Sequence, residues 1–142
     1  MRKHCTNADI VTYALKGESA ITTSGAFKSH ANPTYQNLPS RFYGSWNHPH
    51  MVAALHALHQ HGRIEHTLES YATTVAFKID GQWVVIDDSY SVTTNGKHLT
   101  HCYRLNPVYV PRDASLEEID RVVAGLTVYI RGFGKVGSYT AA

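Results

Sequence analysis

The sequence is short of the features that would place it quickly. It holds 2 cysteines in 142 residues, Cys5 and Cys102. Two thiols with no paired spacing exclude a disulfide framework, so both are expected reduced, as in a cytosol-like compartment. Charged residues make up only 17% of the chain, below the roughly 25% of an ordinary soluble domain. The formal net charge is +2, and no run of basic residues appears, which gives no electrostatic case for nucleic acid. The longest apolar stretch is about six residues, against the roughly 20 needed to span a bilayer. No membrane association is expected, and the basic start Met1-Arg2-Lys3-His4 is followed by no apolar core of a secretory leader. Phosphate loops, dinucleotide fingerprints, nucleophile elbows and Cys-x-x-Cys pairs are all missing. The Gly132-Phe133-Gly134 pair follows a strand pattern but has no helix after it to receive a phosphate.

What the chain does contain is apolar residues, aromatics and histidine. Hydrophobic residues reach 43%, with 9 Tyr, 4 Phe, 2 Trp and 10 His. That is enough apolar content for a packed core, and the length suits a single domain over 1–142. Residues 1–6 and 132–142 are expected to be flexible tails. A helix is predicted from Asp9 to Lys16, capped by Thr6 or Asn7 and stopped by Gly17. Residues 18–47 are polar and read as irregular, with short strands at Ala20–Thr23 and Arg41–Tyr43. The strongest helix opens at Pro49 and closes at Gly62, with Met51 or Val52, Leu55 and Leu58 on one face.

The clearest strand is Thr74–Ile79, with Val75, Phe77 and Ile79 alternating onto one face. Asp80-Gly81 predicts a type I′ turn into Gln82–Asp87. Asn95-Gly96 invites a second hairpin, with a helix after Thr94 as the rival. Pro107 and Pro111 bracket an extended linker. Ser115 with Glu118 forms a capping box opening a helix to about Ala124, before a last strand at Leu126–Arg131. The order predicts an α+β fold: a small antiparallel sheet of three to five strands with about three helices packed on one face.

Six histidines, His48, His50, His56, His59, His61 and His66, fall within 19 residues. His56 and His59 share a helix face, a spacing that can ligate zinc. They lack an intervening carboxylate, and any third ligand would have to come from His66, His98, His101, Cys102, Asp87 or Asp88. The expectation is a solvated histidine-rich face with no cofactor, and zinc as the alternative. Thr93, Thr94, Lys97 and His98 could hold a phosphate oxygen and move a proton, which makes them the catalytic candidates. Aromatics interleaved with cations suit a docking surface or single-stranded nucleic acid. The candidate binding set is Tyr43, Trp46, His56, His59, Tyr90, Ser91, Lys97, His98 and Arg104.

Two blocks carry a resemblance. Tyr90-Ser91-Val92-Thr93-Thr94-Asn95-Gly96-Lys97-His98, preceded by the strand Trp83–Ile86, and Arg41-Phe42-Tyr43-Gly44-Ser45 resemble a layout found in small uncharacterised bacteriophage proteins. The resemblance implies a phage origin and expression in the host cytoplasm. It marks Tyr90, Ser91, Thr93, Thr94 and His98 as the positions to suspect, and favours the helix after Thr94. The functional expectation is an accessory protein that docks on a host protein or on nucleic-acid machinery to inhibit or redirect it. A histidine-assisted phosphoryl-transfer or nuclease-type enzyme and a virion structural component are the alternatives.

Overall fold

The computed structural model describes residues 3–40, 46–91, 93–132 and 134–138. Seven strands form one sheet in sequence order: β1 (Lys3–Cys5), β2 (Ala20–Thr22), β3 (Phe27–Ala31), β4 (Ile64–Ser70), β5 (Thr73–Ile79), β6 (Gln82–Asp87) and β7 (Val108–Pro111). From β2 to β6 the neighbours are antiparallel, and the outer pairs β1–β2 and β6–β7 are parallel. β8 (Thr127–Ile130) and β9 (Gly134–Ser138) make a separate antiparallel ribbon. The α+β class is as expected, with a sheet larger than three to five strands.

Parallel neighbours cannot be joined by a tight turn and need a crossover. Helix α1 (Asn7–Leu15) carries the first, and a π-turn at Thr94–His98 running into a 3₁₀ segment at Leu99–Leu105 carries the second. β1 and β6 point the same way and each steps in the same direction along the sheet. Right-handed crossovers must then lie on the same face. They do: Ile10, Val11 and Ala14 of α1 share one buried cluster with Leu99, Cys102 and Leu105. Arg104 ties the two crossovers together, donating to the Ala8 carbonyl at 3.1 Å and to Thr12 Oγ1 at 2.9 Å.

Helices α2 (Pro49–Gln60) and α3 (Leu116–Val123) take the opposite face. The alternation of β6 decides this. Trp83 and Val85 join the α1 cluster, while Val84 and Ile86 join Met51, Leu55, Leu58 and Ile119. Helices therefore cover both faces, which corrects the single-face expectation. The physical reason is the pair of parallel crossovers, which were not visible while β1, β3, β4 and β7 went unassigned. On β5, Phe77 and Ile79 share the α2 side, and Val75 lies with the α1 cluster.

Local rules explain most element ends. Thr6 and Asp9 form a reciprocal capping box on α1, Pro49 opens α2 with His48 as cap, and Ser115 caps α3. Asp80 and Gly81 both take positive φ, 51° and 77°, as a type I′ turn requires. The Asn95-Gly96 hairpin is replaced by the helical turn. Lys3–Cys5 and Gly134–Ser138, expected as tails, are paired strands, and the expected linker at 107–111 is the edge strand β7.

One side chain fixes the end of the connection into α2. Buried Asn47 mimics a strand residue: its Nδ2 donates to Thr74 O at 2.8 Å and its Oδ1 accepts from Thr74 N at 2.9 Å. Truncation orphans a buried amide and a buried carbonyl. Asn47→Ala should lower the unfolding free energy by roughly 2–4 kcal/mol, read by urea denaturation. A loss below about 0.5 kcal/mol, the scale of an ordinary surface change, would show that the pairing contributes nothing.

Candidate functional site

The strands β4, β6 and β7 run in one direction, and their carboxyl ends meet in a cleft. Ser70 ends β4, Thr73 begins β5, Asp88 and Ser89 follow β6, and Arg112 follows β7. Carboxyl ends of parallel strands are where open sheets leave room for ligands. The cleft has a volume of about 520 Å³ and is completed by Trp46, Tyr71, Tyr90, Ser91 and Thr94.

Its floor is a chain of hydroxyls ending on a buried imidazole. Ser91 Oγ donates to Thr94 Oγ1 at 3.2 Å; Thr94 Oγ1 lies 2.9 Å from Ser70 Oγ, and Ser70 Oγ lies 2.7 Å from His98 Nδ1. Only one polarity gives each hydroxyl proton a partner among these groups: Ser91 to Thr94, Thr94 to Ser70, Ser70 to His98 Nδ1. His98 is then the neutral tautomer with its proton on Nε2. Burial, and after it the positive neighbours His101 and Lys97, lower its pKa and favour that neutral form. The ring also stacks flat on Phe27, with centroids 4.4 Å apart at an interplanar angle of 9°. Phe27 and Ser70 are direct cross-strand partners, so one imidazole grips two strands.

The mouth of the cleft carries two exposed aromatics. Trp46 is 82% exposed and Tyr71 is 52% exposed. Tyr71 stands in the two-residue turn between β4 and β5 with φ of +57°. A bulky side chain in the left-handed region is a steric outlier costing roughly 1–2 kcal/mol. Glycine or asparagine would satisfy the turn at less cost.

The sequence candidates are distributed unevenly over this geometry. Trp46, Tyr90, Ser91, Thr94 and His98 are in or under the cleft. Tyr90 donates its hydroxyl to Ile86 O at 2.9 Å, and burial, then Asp88 and Asp87, raise its pKa. Thr93 is half-buried and Lys97 exposed. Thr94 and His98 both turn inward onto Ser70, so the proposed phosphate cradle of Thr93, Thr94, Lys97 and His98 is not what the π-turn builds. Arg104 is committed to α1. Tyr43, with Arg41–Ser45, lies outside the described residues.

His56 and His59 are fasteners. His56, 2% exposed, donates from Nε2 to Pro39 O at 2.7 Å, and His59 reaches Pro33 O at 3.2 Å. Together they hold the 33–39 segment against α2, and the solvated face expected there is corrected at His56. Of the possible third ligands, His66 bonds Ser29 Oγ on β3 and Asp87 takes the Tyr129 hydroxyl at 2.7 Å and Gly132 N at 3.0 Å. Among the described residues no group of three or more His, Cys, Asp or Glu is placed to hold a metal ion. Both cysteines are free thiols.

A seven-stranded mixed sheet with a hydroxyl-floored, aromatic-rimmed cleft at its carboxyl edge defines the class as α+β. The chain belongs to a family of unknown function, DUF8033, whose model matches residues 16–110. The match spans β2 to β7 and takes in every cleft residue except Arg112. No curated protein matches, and no solved structure matches. Among the described residues no helix is long and apolar enough to cross a membrane.

Ser70, Tyr71, Thr73, Ser89 and Arg112 were missed by sequence reasoning. The alternation Ile64-Glu65-His66-Thr67-Leu68 marks β4, and a strand there would have placed Ser70 and Tyr71 at a hairpin.

The buried imidazoles make stability pH-dependent. Burial, then the positive neighbours His30 and Lys78, push the His66 pKa down to about 4. The unfolded value is near 6.5. Between those limits the unfolded chain binds a proton that the folded chain refuses, so stability falls as pH drops from 6.5 toward 4. His66 contributes a loss of about 3 kcal/mol over that window, and His98 adds in the same direction. Denaturant titrations from pH 7.5 to 4.5 should show the fall, flattened in His66→Gln. An identical slope in that variant would remove His66 as its source.

Proposed function

We propose that this is an accessory protein of bacteriophage type that acts by binding. It docks on a host macromolecule in the host cytoplasm through the cleft at the carboxyl ends of β4, β6 and β7, and inhibits or redirects that target. The observation that carries the reading is Tyr71. An aromatic ring is held in a strained backbone conformation, more than half exposed, at the mouth of a cleft that Trp46 also rims. Among the described residues the ring meets only the edge of the floor, His98 at 5.9 Å between centroids, and the strain kept at its exposed side is accounted for by what it contacts in the bound state. Exposed Trp and Tyr are the residues that dominate binding energies at interfaces.

A second reading, hydrolytic or phosphoryl-transfer chemistry, is favoured by the 2.7 Å contact of Ser70 Oγ with His98 Nδ1, a nucleophile–base pairing. Against it, Ser70 is only 1% exposed, and its oxygen already serves two partners in the floor network. Among the described residues no carboxylate hydrogen-bonds the His98 ring to orient it.

The two readings separate by mutation. Tyr71→Asn should leave the unfolding free energy unchanged or raise it by about 1 kcal/mol, since it relieves the turn. Combined with Trp46→Ala, it should abolish retrieval of the specific partner from host lysate. Retrieval of the same partner by the doubly substituted protein would overturn the cleft as the docking site.

A further inference from the structure

We propose that the cleft takes a guanine base, presented by a single-stranded nucleic acid. The inference deepens the docking reading and rests on the cleft being the binding site.

Three features of the cleft converge on it. Asp87 and Pro111 are partners in the parallel β6–β7 ladder. The next residues along, Asp88 and Arg112, follow the two strand ends, and both line the cleft. Asp88 Oδ1 accepts from Ser89 N at 2.7 Å, and among the described residues neither Asp88 nor Arg112 forms an ion pair. A carboxylate and a guanidinium that line one cleft offer acceptors and donors to the same ligand. Guanine carries the complement: N1–H and the N2 amino group are neighbouring donors on its Watson–Crick edge, with the O6 acceptor beside them and N7 next to O6 on the Hoogsteen edge. Adenine, cytosine and uracil present no two neighbouring donors beside an acceptor.

The second feature is the rim. The exposed rings of Trp46 and Tyr71 supply flat faces for stacking, the usual way single-stranded bases are held. Hydroxyls at Thr73, Ser89 and Ser91 line the same space and suit the sugar.

The third is charge. The lining holds one cation and one carboxylate, so it is neutral overall and does not favour a phosphate backbone. Recognition falls on the base. Binding should then depend only weakly on salt, unlike complexes that release many counterions.

The test is titration of the full chain, followed by tryptophan fluorescence, with guanosine, adenosine, cytidine and uridine monophosphates. Short single-stranded oligonucleotides with and without one guanine form the second arm. The expected result is quenching by the guanine-containing probes at least tenfold tighter than by the others. It should weaken at least tenfold in Asp88→Asn and vary little between 50 and roughly 200 mM salt, a range over which phosphate-driven binding falls by orders of magnitude. Tighter binding of the guanine oligonucleotide than of the monophosphate assigns the site to nucleic acid; equal or tighter binding of the monophosphate overturns that part in favour of a free nucleotide. Equal binding of all four bases, or none, overturns the guanine assignment. If none binds while partner capture still requires Trp46, the occupant is a protein and the docking reading survives. Guanine binding unchanged by Trp46→Ala and Tyr71→Asn would overturn both.

Discussion

Much of the structure depends on where one imidazole is seated. His98 leaves the second crossover, lies flat on Phe27 of β3 and takes a hydrogen bond from Ser70 of β4. These are cross-strand partners on β3 and β4, and β5 separates them from β6 and β7, which the crossover itself connects. The contact draws the segment after β6 across the sheet and away from its edge. It thereby opens the space between the ends of β4, β6 and β7 that becomes the cleft. An apolar side chain could stack on Phe27 as well, but it would leave Ser70 and Thr94 without a terminal acceptor in a buried place, at a cost of about 1–3 kcal/mol per orphaned group.

The same arrangement separates rigid parts from exposed ones. Below the cleft, Ser70, Thr94 and His98 are buried and hydrogen-bonded to one another. At its mouth, Trp46 and Tyr71 are exposed, and Tyr71 is strained. Asn47, the neighbour of Trp46 in the chain, is bonded to both backbone groups of Thr74.

Elements with strong local chemistry were legible in the sequence. The caps at Thr6 and Ser115, with Pro49, Gly62 and Asp80-Gly81, marked their helices and turn correctly because each acts within a few residues. The strands β3 and β7 were not legible. Phe27-Lys28-Ser29-His30-Ala31 is polar and short, and becomes a strand because β2 and β4 flank it. Val108–Pro111 carries a proline that only an edge position tolerates. The cleft was half legible: the 90–98 block was singled out, and it supplies part of the floor. Ser70, Asp88 and Arg112 come together only through sheet register, which no local pattern encodes. The histidine cluster drew attention by its density along the chain. His56 and His59 bond separate carbonyls of the 33–39 segment and His66 bonds Ser29 of β3, so closeness in sequence did not become convergence in space.

The central claim is the polarity of the floor network, with His98 neutral and its Nδ1 receiving the Ser70 proton. Long-range ¹H–¹⁵N correlation spectra of the imidazole side chains at neutral pH test it directly. The account requires a His98 signal with Nε2 protonated and Nδ1 an unprotonated hydrogen-bond acceptor. A protonated Nδ1, in either the other tautomer or the imidazolium, would contradict it.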